Sequence, residues 1–139
     1  MKRYYLGVDW SDEFHQVWAS DPEGKKVIEK KVLENVDGLS EFGRWLDESR
    51  AQGMELWAAI EKPAGRIVDF LLDHGVVVYP VNPKALDRVR DRFRMSQSKS
   101  DSFDAYVLAE YLRTDHAHLR ALEPSSEQAQ ELKLLTRDH

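Results

Sequence analysis

Apolar positions along the chain follow two rhythms, and the changes of rhythm mark its elements. Residues 4–8 form a short apolar run that stops at Asp9, and residues 14–20 and 25–33 have strand composition. Between the last two, Asp21-Pro22-Glu23-Gly24 has turn chemistry, since proline presets φ and glycine accepts positive φ. These segments predict a three-stranded antiparallel meander. Val36, Leu39, Phe42, Trp45 and Leu46 then recur at helical spacing, and Gly53 ends the pattern. A fourth strand is expected over 56–60, ending in Glu61. Pro63 suits the first turn of a helix bearing Ile67, Val68, Phe70, Leu71 and Leu72, closed by His74-Gly75. A fifth strand falls on 76–81, and a short helix after Asn82-Pro83 frays into a polar linker at 96–100. Residues 101–113 read as a helix with Val107, Leu108, Tyr111 and Leu112 on its apolar side. A last helix begins at Pro124-Ser125, where Ser125 and Gln128 have capping-box spacing. The order β-β-β-α-β-α-β-α predicts a mixed sheet, in which an antiparallel meander feeds parallel strands through crossover helices.

Composition narrows the class. A chain of 139 residues with 42% hydrophobic and 32% charged residues is one ordinary globular domain, which excludes collagen, coiled coil and wholesale disorder. No apolar stretch reaches the roughly 18–20 residues of a membrane span, and Asp9 interrupts any leader-like apolar core. With no cysteine there is no thiol nucleophile and no Cys-type zinc site. A soluble cytoplasmic domain with no membrane partner is expected, of bacterial or archaeal nucleoid-associated type.

Charge is distributed unevenly. The net charge is −5, yet residues 84–99 hold six bases (Lys84, Arg88, Arg90, Arg92, Arg94, Lys99) against two acids (Asp87, Asp91). That basic segment on an acidic body suggests a polyanion held at one place, against the plainer reading of a solvated helix with mixed charges.

Four acids stand out by position. Asp9 ends the first strand, Glu61 ends the fourth, and Asp101 and Asp104 open a late helix, three residues apart and so on one face. If the first and fourth strands are parallel neighbours, Asp9 and Glu61 emerge side by side. Small Ala105 lets the helix approach the sheet. Converging carboxylates repel one another strongly unless a cation joins them, and hard divalent ions such as Mg²⁺ prefer such oxygens. Two such ions stabilise both oxygens of a phosphoryl transfer. Taken singly, each acid is equally a turn acceptor or a first-turn acid favoured by the helix dipole.

This element order is the layout of an RNase H-like domain, shared with actin-like sugar kinases, so layout alone does not choose a function. The segments LGVDWS (6–11), AAIEKPAG (58–65), VVVYPVNP (76–83) and KSDSFDAYVLAEYL (99–112), in that order, resemble the N-terminal domain of DEDD insertion-sequence transposases. That family is related to the Piv invertase, and its N-terminal domain resembles the RuvC Holliday-junction resolvase. Lys-x-Asp-x-x-Asp-Ala at 99–105 is its most specific part here. The resemblance implies a RuvC-like (RNase H-like) α/β fold, a mixed five-stranded sheet with helices on both faces. It implies a catalytic domain at 1–122, followed at 123–139 by the start of a helical segment leading to a C-terminal domain. It places the acidic tetrad on Asp9, Glu61, Asp101 and Asp104 as ligands of Mg²⁺, with Mn²⁺ as substitute. Lys99 matches the lysine before the third acid and would contact phosphate, and Lys84, Arg88, Arg90, Arg92 and Arg94 would join it on nucleic acid.

The implied function is metal-dependent DNA cleavage and strand transfer in transposition or site-specific inversion, by an enzyme acting as a homo-oligomer at full length. RNA-guided members use a bridge RNA, which leaves a guide RNA open as a second partner. The family's C-terminal serine nucleophile has no match here, so these residues are expected to bind metal without recombining DNA alone. The chain departs from the family's pattern at Asp12, in the longer Glu61-Lys62-Pro63-Ala64-Gly65 motif and at Ser100.

Two other classes stay open: a stand-alone RuvC-type resolvase or nuclease using metal-activated water, and a non-catalytic nucleic-acid-binding module. An actin-like phosphotransferase is disfavoured, because Asp9-Trp10-Ser11-Asp12 lacks the glycine and threonine of a phosphate loop. His116-x-His118 reads as a solvated loop, Ser11 as a turn hydroxyl, and Trp10, Trp18, Trp45 and Trp57 as core. Phe93 stands between base stacking and helix anchoring.

Overall fold

The computed structural model describes residues 2–11, 13–61, 65–93 and 102–122. Its elements are β1 (Lys2–Trp10), β2 (Phe14–Ser20), β3 (Lys26–Leu33), α1 (Val36–Ala51), β4 (Met54–Glu61), α2 (Arg66–Asp73), β5 (Val77–Val81), α3 (Pro83–Phe93) and α4 (Phe103–Asp115), then a 3-10 turn, His116–His118. The strands lie in the order β3-β2-β1-β4-β5. β2 pairs antiparallel with both β1 and β3, while β4 runs parallel to β1 and to β5.

Local chemistry explains the turns. Asp21 closes the β2–β3 hairpin by accepting from the Glu23 and Lys25 amides at 2.9 and 3.0 Å, with Gly24 at φ 87°. Asn35 caps α1 by accepting from the Gly38 amide at 2.7 Å.

Alternation along the central strands divides the core in two. Leu6 and Val8 of β1 and Ala58 and Ile60 of β4 pack with Phe42 and Leu46 of α1 and Ile67 and Leu71 of α2. On the opposite face Tyr5, Ala59, Tyr79 and Val81 pack with Leu86 and Val89 of α3 and with Val107, Leu108 and Leu112 of α4. Helices therefore cover both faces of the mixed sheet. α4 lies directly on β1, because Gly7 has no side chain: a Cβ there would stand 1.8 Å from the Ala105 carbonyl oxygen and 2.7 Å from the Ala109 nitrogen.

Three expectations change. The helix expected from Pro63 starts at Arg66 behind Gly65 at φ 84°, with 62–64 outside the described residues. The helix expected over 101–113 begins at Phe103 behind Ser102 and runs to Asp115, and Asp101 lies outside the described residues. His116 is no solvated loop residue: its ring stacks on Tyr5 at 5.9 Å and meets Trp57 edge-on at 5.2 Å, because an imidazole offers an aromatic face wherever other rings wait. Phe93 anchors its helix against Tyr106, edge-on at 5.6 Å. The last helix expected, from 124 onward, also lies outside the described residues. Among the described residues no helix is long and apolar enough to cross a membrane.

Candidate active site

Two parallel strands and one close-packed helix bring the acids to one end of the sheet. Gly7 pairs with Ala59 and Val8 with Ile60, so Asp9 and Glu61 occupy the next rung, at the C-terminal ends of β1 and β4. The Trp10 indole ties those ends together, donating from Nε1 to the Glu61 carbonyl oxygen at 2.9 Å. Side chains alternate along a strand, so Asp9 follows Tyr5 and Gly7 onto the α4 face, and Glu61 follows Ala59. Asp104 stands in the first turn of α4, beside the Ala105 that lies against Gly7. The absent Cβ thus sets how near Asp104 comes to the strand ends.

The three carboxylates feel one another. The Asp9 carboxyl is raised above its ordinary pKa, first by burial and then by the negative charges of Asp104 and Glu61; Arg90 and His15 pull the other way.

Among the described residues, Arg90 on α3 is the arginine that pairs with these acids. Its Nε donates to Asp104 Oδ1 at 3.0 Å and its Nη2 to Asp104 Oδ2 at 3.3 Å. Nη2 also stands 3.7 Å from Glu61 Oε2, and Nη1 pairs with Asp87 one turn back on the same helix. Burial by itself would lower the guanidinium's pKa; the hydrogen bond and charge of Asp104, with Asp87 and Glu61, leave it raised instead. Among the described residues, no three Asp, Glu or His side chains are grouped closely enough to hold a metal ion. Asp9, Glu61 and Asp104 are an electrostatically coupled set, and the fourth acid of the expected tetrad, Asp101, lies outside the described residues.

The expected nucleic-acid contacts divide. Lys84, Arg88 and Arg92 are exposed on α3, with Arg92 also 3.5 Å from Asp115. Arg90 instead turns inward to the acids, and Arg94 and Lys99 lie outside the described residues. Reading by residue type missed that inward turn. The signal was the helical phase: Leu86, Val89 and Phe93 mark the buried side of α3, and Arg90 follows Leu86 by four residues on that side.

The far face carries a second polar pair. Buried His15 meets Glu34 Oε2 at 2.5 Å through Nε2, and the Ser11 amide lies 3.4 Å from its Nδ1. Buried Glu110, on the α4 face, accepts from Ser20 Oγ at 3.1 Å and from Arg113 Nη2 at 2.6 Å, so its charge is met.

Known proteins resemble this chain in sequence and in fold. The model of a family described as "Transposase", the DEDD transposases of the IS110 kind, matches residues 6–139. "Putative transposase y4uE" of Sinorhizobium fredii is 41% identical over 131 residues, covering 93% of this chain and 36% of that protein. "Mini-circle putative transposase for IS117" of Streptomyces coelicolor is 36% identical over 135 residues, covering 96% of this chain and 32% of that protein. The chain thus spans about a third of the length of these curated relatives. Among solved structures, Thermus thermophilus RuvC in complex with a Holliday junction substrate superposes with a TM-score of 0.59 at 13% identity, covering 86% of this chain and 99% of that one. A further Thermus thermophilus RuvC structure gives 0.56 at 13% identity, over 88% and 100% of the two chains. The fold is therefore RuvC-like, within the RNase H-like class.

Proposed function

The chain belongs to the IS110-type family of DEDD transposases, and from that premise we propose that its carboxylate cluster is the metal-dependent phosphoryl-transfer centre of a DNA transposase. The observation that supports this reading is the convergence of Asp9, Glu61 and Asp104 on one end of β1, β4 and α4, close enough for the charges of Asp104 and Glu61 to raise the Asp9 pKa. Three acids packed so near one another serve no apolar core. Their donors are carboxylate oxygens, the set that suits a hard divalent ion, Mg²⁺ with Mn²⁺ as substitute. Asp9, Glu61 and Asp104, with Asp101, would hold it. Bound there, the ion supplies charge stabilisation to the attacking and leaving oxygens of the transferred phosphoryl group.

The rest of the work falls to the chain's own residues. Trp10 keeps the two strand ends in register through the Glu61 carbonyl, and Gly7 lets α4 carry Asp104 down to them. Lys84, Arg88 and Arg92, with Arg94 and Lys99, would grip the sugar-phosphate backbone and fix its position without reading sequence. In the whole protein the reaction is strand cleavage and transfer during transposition or inversion, carried out by a homo-oligomer. Its second catalytic part is the serine nucleophile of the family's C-terminal domain. A structured guide RNA is proposed as a second polyanion for the same basic segment.

The test is calorimetry and melting with Mg²⁺ and Mn²⁺ on the chain and on Asp9→Asn, Glu61→Gln, Asp101→Asn and Asp104→Asn. Wild type is expected to bind and to melt higher, as preferential binding to the native state requires, and each substitution to weaken both effects. Silence from wild type, repeated in the presence of a DNA duplex that can supply further oxygens, would reduce the chain to a binding module.

A further inference from the structure

We propose that Arg90 is a resident counter-cation of the carboxylate centre, exchanged for the divalent ion on loading, and that Asp87 receives the displaced guanidinium. The inference rests on the metal-centre reading above and adds to it the residue that governs how tightly the ion is held. Both oxygens of Asp104 accept from Arg90, at 3.0 and 3.3 Å, and the same guanidinium lies 3.7 Å from Glu61. Those are oxygens a hard cation would take, so the ion and the guanidinium compete for them. An arginine does not yield by deprotonating, because its charge is permanent at any working pH. It yields only by moving.

The structure provides somewhere to move. Asp87, three residues earlier on α3 and 70% exposed, already holds Nη1 at the outer edge of the cluster. Swinging about its stem, Arg90 can release Asp104 and Glu61 without ever losing an acidic partner. Leu86 and Val89, both buried, keep α3 in place while the side chain turns.

The neighbouring bases have different roles. Arg88 and Arg92 are exposed, Arg92 beside Asp115, and both would be available to backbone phosphates, whereas Arg90 is tied to acids on three sides.

The experiment is a Mn²⁺ titration of the chain by calorimetry, with metal-free melting recorded alongside, on wild type, Arg90→Gln, Arg90→Lys and Asp87→Asn. Arg90→Gln removes the competitor and is expected to bind Mn²⁺ roughly tenfold more tightly, while melting lower without metal. Asp87→Asn removes the receiving acid, commits the guanidinium to Asp104, and is expected to weaken Mn²⁺ binding by about threefold. Arg90→Lys keeps the charge but not the fork and falls between wild type and Arg90→Gln, which keeps the series readable if the glutamine variant does not fold. A purely structural arginine would move both sites in the same direction, towards weaker binding. Unchanged or weaker binding in both Arg90 variants beside a binding wild type overturns the exchange and leaves the metal centre standing. If neither wild type nor any variant binds Mn²⁺, with or without a DNA duplex, the metal-centre reading fails and the exchange falls with it.

Discussion

The two faces of the sheet use the same strands for opposite ends. Against α1 and α2, Leu6, Val8, Ala58 and Ile60 meet Phe42, Leu46, Ile67 and Leu71 in a core of fully buried apolar side chains. Each such large side chain contributes on the order of 1.5–3 kcal/mol when removed from water. Against α4, the strands present Gly7, then Asp9 and Glu61, and the helix answers with Ala105, Ala109, Asp104 and Glu110. That face holds acids near one another at a cost, recorded in the raised Asp9 pKa. The comparison teaches that one face is apolar from end to end, whereas the α4 face joins its own apolar cluster to acids held at the strand ends.

Breaking the apolar side should cost most and change chemistry least. Phe42→Ala, at a position 0% exposed, is expected to lower unfolding free energy by about 3–5 kcal/mol in urea denaturation. The divalent-ion affinity of the folded fraction should not move. An equal loss of affinity would show that the faces are not separable. Gly7→Ala is the sharper probe, since its new Cβ has no room below Ala105. Overpacking there is expected to cost about 1–3 kcal/mol and, by lifting α4 and Asp104, to weaken ion binding as well. Stability with unaltered binding would mean that α4 height does not govern the cluster.

The smallest effect is the most specific in sign. Asp9 is held above its ordinary pKa of 3.8, first by burial and then by Asp104 and Glu61, so the folded chain favours the protonated form. Folded stability is therefore lost as pH rises from 3.8 through the raised value. Asp9→Asn removes that loss. Without metal it should melt slightly higher than wild type at neutral pH, and the gain should vanish below pH 3.8 in a series of melting curves. A variant that melts lower at neutral pH would remove the electrostatic cost from this side of the comparison.

Much of this is legible in the sequence alone. Strand ends at Asp9 and Glu61 follow from apolar runs that stop in acid, and their adjacency follows from the expected mixed-sheet layout, in which the first and fourth strands are parallel neighbours although β2, β3 and α1 lie between them in the chain. The small residue at Ala105 announced close packing, though its partner Gly7 looked like any glycine in a strand. Arg90 was hidden among similar neighbours: in a run of arginines the residue type says solvent, and only the phase set by Leu86 and Val89 says otherwise. The setting of His116 is not legible in the sequence, because its partners, Tyr5 and Trp57, are remote along the chain and no local pattern points to them. What sequence patterns convey well is periodicity, and what they convey poorly is the identity of a distant neighbour.

The contact beneath Gly7 also has a genetic meaning. Every amino acid other than glycine brings a Cβ, so the position has an alphabet of one letter, whatever the polarity or size of the replacement. Leu6 and Val8, on either side and facing the other way, belong to a core that accepts apolar exchanges of similar volume. A randomised library of this strand, screened only for a working centre, would return variety at 6 and 8 and a blank wall between them.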